Sequence, residues 1–214
     1  MSEKPGFIGQ LMGVLYKPRE IFITVDEGDL SKGFVIVMLM VVFATYSTMT
    51  YMAKIPIDVL APQLQGVDVG PMAGSMGTIS GVAAGVSLLV GWLITGLILH
   101  LLGKFSGGDG SMKRYFALYG FASVPSLLNQ VLRVVDASIV DSVSLIGYFV
   151  SYRDLSNKLV KAVVGANLMN VWALAGIALV ALSLEENYKV GGGRAVLISL
   201  IPSLVMFALN YFMG

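Results

Sequence analysis

The segment ISGVAAGVSLLVGWLITGLILHLL, residues 79–102, decides the fold of this chain. It contains no aspartate, glutamate, lysine or arginine, and it has the length that a helix needs to cross a bilayer, about 20 apolar residues. Four more windows lack these charged residues, at 33–53, 115–132, 162–184 and 195–214. Backbone in lipid must satisfy its own hydrogen bonds, so such windows form helices. The sequence therefore predicts an all-α fold, a polytopic transmembrane helical bundle of five spans.

The five spans divide the chain into two parts. We expect a transmembrane domain over residues 33–214, with spans at about 33–53, 79–102, 115–135, 162–184 and 195–213. Residues 1–32 are a cytoplasmic or interfacial segment with one short helix, because apolar residues recur there at helical spacing and Pro18 should end the run. This helix lies in the membrane interface or packs on the loops of the bundle, and the sequence leaves both alternatives open.

Two features complicate the count of five spans. Pro125 lies inside the third span and should kink that helix midway, because proline cannot donate a backbone hydrogen bond. Residues 138–150 are apolar but too short to cross a bilayer. That segment is therefore an interfacial piece, a re-entrant piece or an extension of a neighbouring helix.

The composition excludes several classes of protein. Hydrophobic residues make up 56% of the 214 residues and the net charge is only +1, so nucleic acid is not an expected partner. With no cysteine and one histidine, neither a thiol enzyme nor a multi-histidine metal site can be built. No catalytic motif is present, and we expect no cofactor, no metal and no enzymatic activity. His100 is either a proton relay or a locally hydrogen-bonded side chain.

The basic residues predict the orientation. Nine lysines and arginines fall on the side of the N-terminus and five on the opposite side, if five spans are counted. Because positive charge accumulates in the cytoplasm, we expect the N-terminus inside and the C-terminus outside, in the plasma membrane. The hairpin between the second and third spans supplies a cytoplasmic basic face through Lys104, Lys113 and Arg114.

Small residues mark a candidate contact surface on the second span. Gly77, Gly81 and Gly85 are four residues apart, so they share one stripe of the helix and let a second helix approach closely. The favoured interpretation is helix packing, and a substrate groove along the stripe is the alternative.

A group of polar side chains has some depth in the membrane. Amides buried in lipid must find partners, so these residues either bond to neighbouring helices or line a polar cleft between spans three and four. Both interpretations apply to the same set: Asn129, Gln130, Arg133, Asp136, Asn167 and Asn170.

The order of several landmarks resembles a known family. A Pro-x-x-x-Phe segment precedes the first span, a Gly-Gly hairpin leads into the third, and a tryptophan in the fourth is followed by a short acidic loop. The landmarks are Pro18, Phe22, Gly107, Gly108, Tyr115, Tyr119, Gly120, Pro125, Trp172, Arg194, Ala195 and Pro202. Over residues 18–210 the chain resembles the Yip1 family of small five-span integral membrane proteins.

The resemblance implies a cytoplasmic N-terminus and no enzymatic activity. The short segment before the first span is similar to the prokaryotic members, some of which are accessory to ABC-type export systems. We therefore expect a non-enzymatic, multi-pass membrane protein that acts in trafficking, assembly or transport accessory roles through helix–helix contacts. Its partners would be the lipid bilayer and another membrane protein or a second copy of itself. The alternative is a small carrier, channel or lipid-handling protein with a polar cleft between spans three and four.

Overall fold

The structure, a computed structural model, describes residues 4–56, 59, 70–153, 155–166, 168 and 170–213. In these ranges the regular structure is helical throughout, and the all-α prediction is confirmed. The described residues form a 3₁₀ turn at Glu27–Asp29 and ten α-helices, which we number α1 (Phe7–Tyr16), α2 (Pro18–Thr24), α3 (Leu30–Lys54), α4 (Gly70–Phe105), α5 (Met112–Ala122), α6 (Val124–Ile139), α7 (Ser142–Arg153), α8 (Lys158–Gly165), α9 (Val171–Tyr188) and α10 (Gly192–Met213).

Three helical stretches of the described residues are long and apolar enough to cross a membrane. They are Glu27–Lys54, Ser75–Phe105 and Gly192–Met213. Large apolar residues on their outer sides are left uncovered by the rest of the chain, including Val82, Val86, Val90, Leu93, Leu97, Leu197, Leu204, Val205 and Leu209. Apolar faces of this extent are unfavourable in water and favourable in lipid. These helices are therefore adapted to a bilayer.

The predicted third span is divided into two helices. The sequence predicts one helix kinked at Pro125, whereas α5 ends at Ala122 and α6 begins at Val124. Pro125 occupies the first turn of α6, where a missing backbone N–H does no harm. Proline thus starts a new helix here.

The predicted fourth span is also built from two pieces. Helix α8 ends at Gly165, and α9 begins at Val171 with Asn170 as its N-cap. Of the segment 138–150, Ser138 and Ile139 extend α6, and the residues from Ser142 onward belong to α7. Three candidate spans are thus present among the described residues, and the count of five stays a prediction.

Helices α3 and α5 cross with their backbones in contact. A Cβ atom added to Gly33 would lie 2.8 Å from the Ala117 carbonyl oxygen, and one added to Gly120 would lie 2.4 Å from the Cα of Gly33. No side chain fits between the two helices at this point. The crossing places α5 against α3 and leaves the opposite side of α5 for α9.

The N-terminal segment packs on this crossing. Helix α1 ends at Tyr16, before Pro18, as the sequence predicts. Its inner face buries Gln10 and Val14 against the bundle, whereas Ile8, Met12 and Leu15 on its outer face are exposed. The inner face of α1 is thus explained by packing on the bundle, and the exposed apolar outer face by a position in the membrane interface.

Candidate functional site

The ends of the helices form two polar sites, one on each side of the bundle. The N-terminal side carries α1, α2, the loop 106–111 and the turn between α9 and α10. The far side carries the C-terminal ends of α3 and α6. Exposed cations on the N-terminal side are candidates for contacting a partner.

Arg114 fastens three segments of the N-terminal side together. Its guanidinium donates to the carbonyl oxygens of Val25 (3.0 Å) and Phe22 (3.4 Å), and to Oε1 of Glu186 (3.0 Å). A further donation reaches the Glu186 carbonyl oxygen at 3.3 Å. Because its donors are used inside the protein, Arg114 is a structural clamp, and we call these four residues the Arg114 clamp.

The environment of Glu186 stabilises its charged form. Burial raises the pKa of the carboxyl, but hydrogen bonds from Lys189 and Arg114 outweigh burial and hold the pKa below its usual value of 4.5. Lys189 lies 2.8 Å from the same Oε1 atom that Arg114 contacts. The clamp is therefore strongest when Glu186 is ionised.

A second ionic cluster ties the start of the chain to α3. Lys4 lies 2.7 Å from Asp26 and 2.6 Å from Asp29, and Lys32 also contacts Asp29 at 2.7 Å. The hydrogen bond from Lys4, followed by one from the Gly28 amide, lowers the pKa of Asp26. This cluster holds α1 against the bundle.

The other two residues of the predicted basic face remain exposed. Lys104 and Lys113 flank the loop between α4 and α5, beside the exposed side chains of Phe105 and Met112. The loop is held firmly, because Asn187 donates to the Ser111 carbonyl oxygen at 3.0 Å. We call Lys104, Phe105, Met112 and Lys113 the hairpin tip.

The polar residues of α6 lie on the far side and contact α3. The Tyr51 hydroxyl donates to Asp136 at 2.5 Å, and the Arg133 guanidinium stands 5.9 Å from the centre of the Tyr51 ring. Lys54 donates to the carbonyl oxygens of Ala137 and Val140, each at 2.7 Å. These contacts fasten the ends of α3 and α6 to one another.

Within the described residues the remaining polar candidates form no hydrogen bond with this group. Asn129 is half-buried, and Gln130 is buried with no partner for its Oε1 within the described residues. Asn170 accepts from the backbone N–H of Trp172 at 2.9 Å and so caps α9. Asn167 lies outside the described residues.

The glycine stripe of α4 is covered by α3. A Cβ atom on Gly81 would lie 2.7 Å from the Thr45 carbonyl oxygen, and one on Gly85 would meet the Thr45 hydroxyl at 2.2 Å. A Cβ on Gly77 would be 3.4 Å from the Met49 carbonyl oxygen. The chain uses the stripe for its own packing, so a partner cannot reach it in this structure.

Sequence patterns did not reveal two features of the interior. The first is an aromatic stack, in which Tyr119 lies parallel to both Trp92 and Tyr115, at centroid distances of 5.2 and 5.8 Å. Next to it the His100 ring nitrogen Nδ1 pairs with the Tyr188 hydroxyl. The second is a cavity of about 300 Å³, whose wall includes Trp92 and Tyr119 of this stack. One sequence signal could have indicated the cavity: Trp92 and Pro202 lie at similar distances from the ends of their helices on the N-terminal side.

Comparison with known proteins identifies a family. A model of the Yip1 domain family matches residues 12–213, nearly the whole chain. No curated protein and no solved structure matches the chain. Among the described residues no three histidine, aspartate or glutamate side chains are grouped as a metal site would need.

Proposed function

Since the chain belongs to the Yip1 domain family, we propose that this membrane protein is a non-enzymatic accessory factor that contacts a second membrane protein. In this proposal five spans cross the plasma membrane, with the N-terminus in the cytoplasm and the C-terminus outside. The role is trafficking, assembly or support of a transporter. The hairpin tip is the contact surface.

The exposure of the hairpin tip is the observation that carries this proposal. Phe105 is 84% exposed and Met112 is 48% exposed, between two lysines for which no acidic partner occurs among the described residues. Apolar side chains ringed by charge are typical of protein contact sites. The two lysines favour a partner with an acidic cytoplasmic segment, because opposite charges speed and orient association.

The rigidity of the hairpin supports the same proposal. Gly108 packs so closely on α9 that a Cβ atom there would lie 2.4 Å from the Tyr188 Cβ, and one on Gly110 would lie 2.4 Å from the Asn187 carbonyl oxygen. A loop that is already ordered loses little entropy when a partner binds. The Arg114 clamp and these contacts therefore present the tip in one conformation.

The contact is tested by photocrosslinking in living cells. A photoreactive amino acid at position 105 should give discrete crosslinks to a membrane protein, and the same group at Tyr148, exposed on α7, should not. Lys104→Glu combined with Lys113→Glu should suppress these crosslinks. Lys158→Glu combined with Lys161→Glu is the matched control and should leave them unchanged. Crosslinks that survive reversal at 104 and 113, or that are absent at 105, would refute the proposal.

The orientation can be tested directly because the chain has no cysteine. A single cysteine at exposed Asp109 should react with a membrane-impermeant maleimide only after the cells are opened. A cysteine at Phe212, which is 79% exposed, should react in intact cells. The reverse pattern would overturn the proposed orientation without affecting the contact at the hairpin tip.

The alternative function, a channel or carrier with a polar cleft, has weaker support. Arg133 and Asp136 are occupied by contacts with Tyr51 on α3, and Asn170 is occupied as a helix cap. Flux through reconstituted liposomes that Asn170→Leu abolishes would favour this alternative.

A further inference from the structure

Six helices contribute described residues to the wall of the cavity of about 300 Å³. Its wall combines small residues, hydroxyl side chains and large apolar side chains from α3, α4, α5, α6, α9 and α10, and Ala166, which follows α8, also belongs to it. Gly91 belongs to the wall and is exposed, and no atom of the described residues lies within 4 Å of a Cβ atom built on it. The cavity therefore opens sideways, beside Gly91, to the surface that faces lipid.

The cavity is near the middle of the bilayer. Met40 lies ten residues after Leu30, Pro202 ten residues after Gly192, and Gly176 twelve residues before Tyr188. At about 1.5 Å per residue these positions are about 15–18 Å from the N-terminal side of the helices. Half of the hydrocarbon layer is about 15 Å thick. This depth favours an occupant that comes from the membrane interior.

The N-terminal side of the cavity is closed by aromatic rings. Trp92 and Tyr119 line the cavity, and Tyr115, fully buried, is stacked on Tyr119 at the next level. Tyr188 and Leu184 fill the space beyond them. This aromatic layer separates the cavity from the water on that side, and the opening beside Gly91 offers a route of entry from the lipid.

Three hydroxyl groups of the wall have no hydrogen-bond partner within the described residues: Thr95, Ser126 and Ser203. Two other serines of the wall are satisfied, since Ser123 accepts from Trp92 Nε1 (3.2 Å) and Ser199 donates to the Val196 carbonyl oxygen (2.8 Å). A polar group without a partner in hydrocarbon costs free energy. An occupant that supplies oxygen atoms would remove this cost.

We propose that the cavity binds the hydroxyl- or carbonyl-bearing part of an uncharged membrane lipid, such as a diacylglycerol or a long-chain alcohol. Among the described residues the wall contains no charged side chain, so these residues offer no opposite charge to a phosphate or an ammonium group. Charged head groups also do not reach the bilayer centre without a large penalty. An unsubstituted acyl chain could fill the volume but would leave all three hydroxyls without partners.

The site is independent of the partner contact at the hairpin tip, because none of the hairpin-tip residues lines the cavity. Failure of the crosslinking test at position 105 would leave the cavity proposal standing. Failure of the labelling test of the cavity would likewise leave the proposed contact at the hairpin tip standing.

Photolabelling of the purified protein in lipid nanodiscs tests the proposal. Three probes carry the same diazirine acyl or alkyl chain: a diacylglycerol, a long-chain alcohol and a phosphatidylcholine. We expect the two uncharged probes to label peptides of the wall about tenfold more than the phosphatidylcholine, the effect of one or two hydrogen bonds. The relative labelling by the two uncharged probes identifies the preferred source of the oxygen atoms.

Two sets of variants give the matched controls. Thr95→Val with Ser126→Ala and Ser203→Ala keeps the shape of the wall and should abolish the tenfold preference, whereas Ser199→Ala removes a satisfied hydroxyl and should retain it. Gly176→Phe should fill the cavity and suppress labelling, since among the described residues only the Ser126 hydroxyl lies within 4 Å of a Cβ atom there, at 3.8 Å. Gly147→Phe, on exposed α7, should label normally.

The triple variant also keeps the test decisive if Gly176→Phe fails to fold. Removing unpaired hydroxyls should leave the melting temperature unchanged or raise it, so loss of labelling cannot be attributed to unfolding. Equal labelling by all three probes would overturn the proposal, because the cavity would then hold only an acyl chain. Retained preference in the triple variant would overturn it as well. So would the absence of labelling of the wall by all three probes, because the cavity would then hold water and no lipid.

Discussion

Helices α3 and α10 both have the length and composition of a membrane span, yet the chain treats them differently. In the most apolar window of the helix that includes α3, 33% of the residues are buried, against 11% in α10. Helix α3 is surrounded by α4, α5 and α6, whereas α10 rests mainly on α8 and α9. Hydropathy alone therefore does not distinguish a helix that organises the bundle from one that offers its surface to lipid or to a partner.

The difference between the helices arises from backbone contact and polar fastening. Helix α3 touches α5 through Gly33 and Gly120 and contacts α4 along the stripe that includes Gly81. Its ends are fixed by Asp29 on one side and Tyr51 on the other. Among the described residues, helix α10 forms no ion pair and no side-chain hydrogen bond with another helix. Since lipid competes equally for apolar surfaces, close backbone packing and hydrogen bonds decide which helices associate.

The largest expected effect comes from separating α3 and α5. Gly120→Leu would place its Cβ atom on the backbone of Gly33, so the helices must move apart, and we expect a loss of about 3 kcal/mol or more in the free energy of unfolding. Thermal unfolding in nanodiscs, followed by tryptophan fluorescence, measures it. Gly147→Leu, in open space on α7, should change stability by no more than about 0.5 kcal/mol. Equal stability of the two variants would show that the contact between Gly33 and Gly120 does not hold α3 and α5 together.

The second expected effect comes from the Arg114 clamp. Arg114→Ala leaves the carbonyl oxygens of Phe22 and Val25 and the Glu186 carboxylate without this donor. Because the site is half-buried, we expect a loss of about 2 kcal/mol, below that for a fully buried pair. Lys113→Ala, next in the chain and exposed, should be within about 0.5 kcal/mol of the parent. Protease sensitivity of residues 18–26 provides a second readout, and no increase there would contradict the clamp.

The sequence predicted the parts of this arrangement that depend on local pattern. Charge-free windows identified helices, Pro18 marked the end of α1, and the four-residue spacing of Gly77, Gly81 and Gly85 indicated where backbones could meet. The identity of the helix that covers the stripe depends on tertiary packing. Sequence spacing cannot supply that information.

The features that the sequence did not predict are all non-local. Arg114 is assigned to a basic face by its position among lysines, yet its partners Val25 and Glu186 lie 89 and 72 positions away. The two-helix form of the third span depends on how α5 and α6 pack, because Pro125 alone is compatible with a kink or a break. The cavity arises only where the walls of several helices meet.

The third prediction concerns pH, which should weaken the N-terminal side more than α10. The pKa of Glu186 is lowered in the folded protein, so the unfolded chain binds this proton more tightly. The contribution of Glu186 is therefore full above its ordinary pKa of 4.5 and is lost as the pH falls through the lowered folded value. Glu186→Gln should flatten the fall of the melting temperature in this range. Asp109→Asn, at an exposed position, should keep the slope of the parent, and identical slopes in both variants would argue against the clamp as an acid-sensitive contact.

The smallest expected effect on stability is on α10, and it tests what this helix is for. Leu197 is 68% exposed, so Leu197→Ala exchanges one lipid contact for another and should change the free energy of unfolding by no more than about 0.5 kcal/mol. The matched change on α3, Ile36→Ala at a fully buried position, leaves a cavity and should cost about 2–4 kcal/mol. If α10 serves only as a lipid-facing span, Leu197→Ala should also leave the crosslinks at position 105 unchanged. Loss of those crosslinks with stability intact would instead make α10 a second contact surface for the partner, and the low burial of this helix would then reflect a missing protein neighbour.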